Sequence, residues 1–90
     1  MATVRIPVPL RKVTNDQENV IVEGNDIGQI FLMLCARFPE LHDRLFDENQ
    51  KLRRFIKVFV NDEDIDFLQE FATDVKDTDT ISIVPAIAGG

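Results

Sequence analysis

One amphipathic stretch constrains this chain more than any other feature. Ile27, Ile30, Phe31, Leu34, Cys35 and Phe38 recur at the spacing of a single helical face. Gly24 breaks whatever precedes them, Asn25-Asp26 offers an N-cap, and Gln29 stands three residues beyond Asp26, where a capping box places it. Pro39 ends the helix, because the residue before proline is pushed out of the helical region. Leu41, Leu45 and Phe46 then suggest a short further helical turn over the core. A single long helix covers only one face of a sheet. The remaining apolar segments therefore predict an α+β domain of two layers, with the other sheet face left open.

Those segments read as strands. Val4, Ile6 and Val8 alternate with Thr3, Arg5 and Pro7, the period of a half-buried strand, and Pro7 and Pro9 predict that its end frays. The polar run from Thr14 to Asn19 is turn material, and Val20 to Glu23 returns as the second arm of a hairpin. Phe55 to Val60 is the strongest strand signal, followed by a turn over Asn61-Asp62-Glu63-Asp64. Ile65 to Phe67 is a short strand at best. Leu68, Phe71 and Val75 anchor an irregular crossing, and Asp77-Thr78-Asp79 turns into a last strand from Thr80 to Val84.

Composition enters as a set of exclusions. A chain of 90 residues buries roughly 60–65% of its unfolded surface, enough for one core but not for a deep catalytic cleft. Its 16 acidic and 10 basic residues give a net charge of -6 and a pI near 4.6, which disfavours nucleic-acid binding. The longest apolar stretch, Ile30 to Ala36, is far too short to span a membrane. With no export signal and one cysteine, the cytoplasm is the expected compartment.

Candidate sites dissolve one by one. His42 is the only histidine, Ser82 the only serine, and neither has a catalytic partner nearby in sequence. Cys35 lies on the apolar helix face and reads as a small core hydrophobe. One Cys and one His cannot hold zinc. Asp62, Asp64 and Asp66 resemble the opening of a calcium loop, but Phe67 and Thr73 occupy the positions that demand Gly and Glu, so the segment reads as a solvated acidic turn and no metal is expected. Lys51, Arg53, Arg54 and Lys57 form the only basic cluster, a solvated strand entry or a contact for an acidic or nucleotide-bearing partner. If Ile56, Val58 and Val60 face the core, Phe55, Lys57 and Phe59 face the other way. Two phenylalanines beside a lysine on an open face read as a partner surface, unless a loop covers them.

After Val84 the chain reads Pro85-Ala86-Ile87-Ala88-Gly89-Gly90. Six extended residues reach about 20 Å, and glycines pass through a channel too narrow for any side chain.

At this point the residues meet a known group. The sequence resembles the ubiquitin-like sulfur carriers of the ThiS/MoaD family. The resemblance covers the opening strand pair, the Asp26 to Phe38 helix, Phe59-Val60-Asn61-Asp62-Glu63-Asp64, and Asp79-Thr80-Ile81-Ser82-Ile83-Val84 with the tail. Within the group it is most similar to the cysteine-biosynthesis branch, which shares the Val-Asn-Asp-Glu-Asp turn and the Pro-Ala-x-Ala-Gly-Gly ending. Thr78 departs from the Gly that many members carry, which predicts a turn without positive φ.

The resemblance implies a β-grasp domain over 1–84, with a mixed sheet of four or five strands and one main helix on one face, and a flexible tail over 85–90. It implies that the chain is no enzyme and binds no cofactor of its own. An ubiquitin-activating-like adenylyltransferase with ATP and magnesium would adenylate the Gly90 carboxylate, and a sulfur donor would displace AMP to leave a thiocarboxylate. Gly89, Ala88, Ile87, Ala86 and Pro85 would be the inserted tail, and Phe55, Lys57 and Phe59, with Arg5 beside them, the partner surface. In the cysteine branch the sulfur would pass to an amino-acrylate on a pyridoxal-phosphate cysteine synthase, and a zinc peptidase would release cysteine. Sulfur carriage for molybdopterin or thiamine biosynthesis, as in the small subunit of a molybdopterin synthase, stays open as an alternative. So does a protein modifier or plain binding module.

Overall fold

The computed structural model describes residues 1–85. Five strands and two helices follow in the order β1 (Ala2–Arg5), β2 (Asn19–Val22), α1 (Ile27–Arg37), α2 (Pro39–Leu45), β3 (Ile56–Val60), β4 (Glu63–Asp64) and β5 (Thr80–Pro85). The described residues form one mixed sheet of order β2-β1-β5-β3-β4. β1 is antiparallel to β2 and parallel to β5, and β5 is antiparallel to β3. This is the β-grasp arrangement that the resemblance implies, with five strands.

Burial follows the alternation. Val4, Val20, Val22, Ile56, Val58, Val60, Ile81 and Ile83 point into one layer of core and meet Ile27, Ile30, Phe31, Leu34 and Phe38 from α1. Each fully buried aliphatic side chain contributes about 2 kcal/mol. The N-terminus of α1 is capped as its sequence predicts. The Gln29 amide N–H donates to Asp26 Oδ1 at 2.8 Å, while Gln29 Oε1 accepts from the Asn25 N–H at 2.8 Å. The reciprocal bond thus reaches one residue further back than in the standard box.

Several elements differ from their sequence reading. β1 stops at Arg5. Ile6 is still buried, but Pro7 and Pro9 cannot donate to a ladder, and Val8 opens a 3₁₀ helix (Val8–Thr14) with its side chain 69% exposed. Thr14, read as turn material, is fully buried, its hydroxyl 3.1 Å from the Gln17 carbonyl and 3.3 Å from that of Arg11. The second helical turn is a seven-residue helix, α2, that buries Leu41 and Leu45. The acidic turn after β3 is tighter than expected. Asn61 and Asp62 alone carry it, both with positive φ as a type I′ hairpin requires, and Glu63–Asp64 pair back as β4. Ile65–Phe67 is 3₁₀, not strand, and leaves Phe67 exposed; Leu68 is an exposed flank, while Val75 is buried and Phe71 packs against the core. Asp79 donates its amide to the Lys76 carbonyl at 2.9 Å, and no residue of that turn has positive φ, as Thr78 predicts.

Candidate functional site: the root of the C-terminal tail and the open sheet face

β5 is the element that positions the site. It lies between β1 and β3, buries Ile81 and Ile83, and turns Thr80, Ser82 and Val84 to the open face. Its register extends through Pro85, opposite Ile56 and one residue beyond the predicted end. Proline gives up only its N–H, which a strand's last residue can lose. The expected tail residues Ala86, Ile87, Ala88, Gly89 and Gly90 lie outside the described residues.

The start of β5 is fastened from both sides. Asn61 Nδ2 donates to Asp79 Oδ1 at 2.7 Å, and Asn61 Oδ1 accepts from the Thr80 N–H at 2.9 Å. The backbone N–H of Asn61 donates to the Thr80 carbonyl at 2.9 Å. Asp79 Oδ2 also accepts from the Lys76 N–H at 2.8 Å. That amide, then Asn61, then the Lys76 charge hold the Asp79 carboxyl below the ordinary aspartate range. Neither Asn61 nor Asp79 stands out in sequence as a pair, since 18 residues separate them. The turn composition around each is the only signal.

The open face carries three of the four residues read as a partner surface. Arg5 is level with Ser82, which is level with Phe59, which is level with Asp64. One row thus runs from a cation through a hydroxyl to a half-buried ring. Lys57 stands two residues along from Phe59 on the same face, but it is engaged: its Nζ lies 2.9 Å from Asp66 Oδ2 and 3.9 Å from Asp64 Oδ2. The hydrogen bond to Asp66 raises its pKa, with the charges of Asp66 and Asp64 adding to it. Phe55 departs from the reading. It precedes β3 in a turn and is 42% exposed at the end of the sheet rather than on its face.

The other candidates fall away from this site. His42 sits on α2, with Nε2 2.8 Å from Gln50 Oε1 and its ring stacked on Phe46 at 5.3 Å. Cys35 is half-buried rather than core. It edges a 260 Å³ apolar cleft between the helices with Phe31, Phe46 and Phe71, and burial pushes its thiol pKa up. A thiol so shifted is a poor nucleophile. Asp64 and Asp66 bind Lys57, and the Asp64 carboxylate also accepts from the Asp66 N–H at 2.9 Å. No group of three metal-ligating side chains forms among the described residues, and none of their helices is long and apolar enough to cross a membrane. Among the described residues, no acid, base and nucleophile come together beside Pro85.

The ThiS family profile matches residues 4–90. The sulfur carrier protein CysO of Mycobacterium tuberculosis is 40% identical over 90 residues, covering 98% of this chain and 97% of the relative. The solved BexX/CysO complex of Amycolatopsis orientalis contains a chain that superposes with a TM-score of 0.90 at 41% identity, covering 100% of both chains. Small archaeal modifier protein 1 from Methanosarcina acetivorans superposes at 0.87 over 99% of this chain and 95% of its own, and at 24% identity it speaks for the fold alone. Matched across residues 4–90 and at 40% identity over nearly its whole length, the chain belongs to the ThiS family and is a sulfur carrier, not an enzyme.

Proposed function

We propose that this carrier serves cysteine biosynthesis, with its sulfur held as a thiocarboxylate on Gly90. The observation that carries the reading is the full-length 40% identity to a carrier named CysO, together with a sequence that runs from β5 straight into Pro85-Ala86-Ile87-Ala88-Gly89-Gly90.

The chemistry is written for partners. A carboxylate is a poor acyl donor because oxide is a poor leaving group. The Gly90 carboxylate attacks the α-phosphorus of ATP on an ubiquitin-activating-like adenylyltransferase that holds magnesium, and pyrophosphate leaves. A sulfur nucleophile then attacks the Gly90 carbonyl and displaces AMP. The resulting thiocarboxylate adds through sulfur to an unsaturated amino-acid acceptor on a pyridoxal-phosphate synthase. Cysteine stays attached through the Gly90 carbonyl until a zinc peptidase hydrolyses the link and restores the carboxylate. This chain contributes the reactive end, a tail whose last two residues lack Cβ, and the face that holds Arg5, Lys57 and Phe59 with Phe55 at its edge.

The test is reconstitution with thiocarboxylated chain, the synthase and an activated serine. Intact-mass spectrometry should show one cysteine added to the carrier, and peptidase should remove it. A carrier that yields no such adduct contradicts the cysteine reading. A second reading, sulfur delivery to an acceptor other than the cysteine precursor, draws on the similar CysO having been solved in complex with a partner protein, BexX. Transfer to a non-cysteine acceptor at a comparable rate would favour it.

A further inference from the structure

The end of the sheet from which the tail departs exposes groups that the rest of the molecule does not use. β1 and β5 run parallel, so the chain leaves both at the same end, and β3 enters there with Ile56 opposite Pro85. Arg54 and Phe55 therefore flank the tail root on the β3 side, and on the β1 side, where Arg5 is level with Ser82, the chain leads through Pro7 into the 3₁₀ helix that Val8 opens. The span from β1 to β3 is about 10 Å. Val8 is 69% exposed, Phe55 42% and Val84, the residue before Pro85, 39%. Three apolar side chains at one end of a small sheet are unused by the core.

The charges at this end divide in a way the sequence does not reveal. Of the basic cluster, Lys57 is tied to Asp66, and Arg53 Nε donates to the Asp43 carbonyl at 3.0 Å. Arg54 and Arg5 are both exposed. Neither makes an ion pair or side-chain hydrogen bond among the described residues. Arg54 beside the tail root and Arg5, level with Ser82 three residues before Pro85, are thus free of partners among the described residues, in a chain of net charge -6. Carboxylates match their planar donors.

We propose that Val8, Phe55, Val84, Arg5 and Arg54 form a docking collar around the tail root, which seats on an acidic, apolar-centred protein surface at the mouth of the partner's tail channel. The proposal rests on the reading that a partner enzyme receives the tail, and adds which residues engage it and with what chemistry. Lys57 is excluded from the cationic role because Asp66 and Asp64 already hold it. Opposite-sign charges around the mouth steer the encounter, so recognition is sensitive to salt although the carrier as a whole is acidic.

The experiment measures carrier-dependent ATP–pyrophosphate exchange by the host's ubiquitin-activating-like adenylyltransferase. Full-length wild type, the double variant R5E/R54E, K57E and a chain lacking Gly90 are compared. Between roughly 50 and 300 mM salt the wild-type KM for the carrier should rise several-fold. The double variant should raise KM about tenfold or more at low salt with kcat unchanged, and lose the salt dependence. K57E should raise KM far less. Wild-type KM that ignores salt, or a folded double variant that charges at wild-type KM, overturns the collar. A K57E effect as large as the double variant's overturns the exclusion of Lys57. The salt series on wild type decides the matter even if the double variant does not fold. Loss of Gly90 reports separately: if exchange persists without it, the reading beneath the collar fails.

Discussion

The two ends of β5 are built from opposite materials. At the Thr80 end polar groups are tied within the chain: Asn61 bridges the Asp79 carboxylate and the Thr80 amide, and Asp79 also accepts from the Lys76 N–H. Five residues later, toward the Pro85 end, the side chains of Val84 and of Arg5, Val8 and Phe55 on the flanking segments are exposed. The first end is satisfied internally and resists change. The second presents apolar and cationic side chains that the core does not use. The strand is thus fastened at its start and remains paired through Pro85, opposite Ile56. Substitutions at the two ends should therefore separate stability from function.

The largest effect falls on function alone. Removing Gly90, or adding a residue after it, should abolish charging by the activating partner while leaving the thermal midpoint within experimental error of wild type. A drop in that midpoint would mean that the tail end also supports the fold. At the fastened end the pattern reverses. Asn61→Ala should cost about 2 kcal/mol in chemical denaturation, since it removes two side-chain hydrogen bonds and a residue suited to φ of 49°. Asn61→Gly keeps the backbone freedom and should cost about half as much. Both should charge normally at saturating partner.

A pH series sharpens the same end. The Asp79 carboxyl is held below its ordinary value by the Lys76 and Asn61 amides. Its contribution is therefore full above the unfolded value, near about pH 4, and disappears as pH falls through the lower folded value. Asp79→Asn should destabilise the protein at neutral pH, and the gap to wild type should close in acid. An unchanged gap at the acid end would remove Asp79's charge from the account. The smallest effect is expected of Lys57→Met. Its bond to Asp66 is exposed, and pairs of that kind contribute little and fade with salt. Stability should hardly move.

Much of this was legible in the sequence, for physical reasons that also mark where legibility stops. The α1 cap and face, the buried triplet Ile56, Val58 and Val60, and the Thr78 turn depend on local periodicity and backbone chemistry, which neighbouring residues reveal. Val8 breaks the pattern because Pro7 and Pro9 end the ladder sooner than its alternation suggests. Cys35 lies one helical turn beyond Phe31 but sits at the edge of the stripe, where Phe31, Phe46 and Phe71 leave a cleft. Lys57 lies on the predicted face, yet the aspartates that occupy it come from beyond a hairpin whose tightness depends on two positive φ angles. The Asn61–Asp79 contact joins distant turns and has no local signature at all.

We propose that the chain's chemistry lies on one carboxylate and that the remainder is scaffold and recognition surface. Intact-mass spectrometry after incubation with the adenylyltransferase, ATP, magnesium and sulfide tests it directly. Wild type should gain the mass of one oxygen exchanged for sulfur, localised by fragmentation to Gly90, and the chain lacking Gly90 should gain nothing. The same mass gain on the shortened chain, or its localisation to Cys35, would contradict the account.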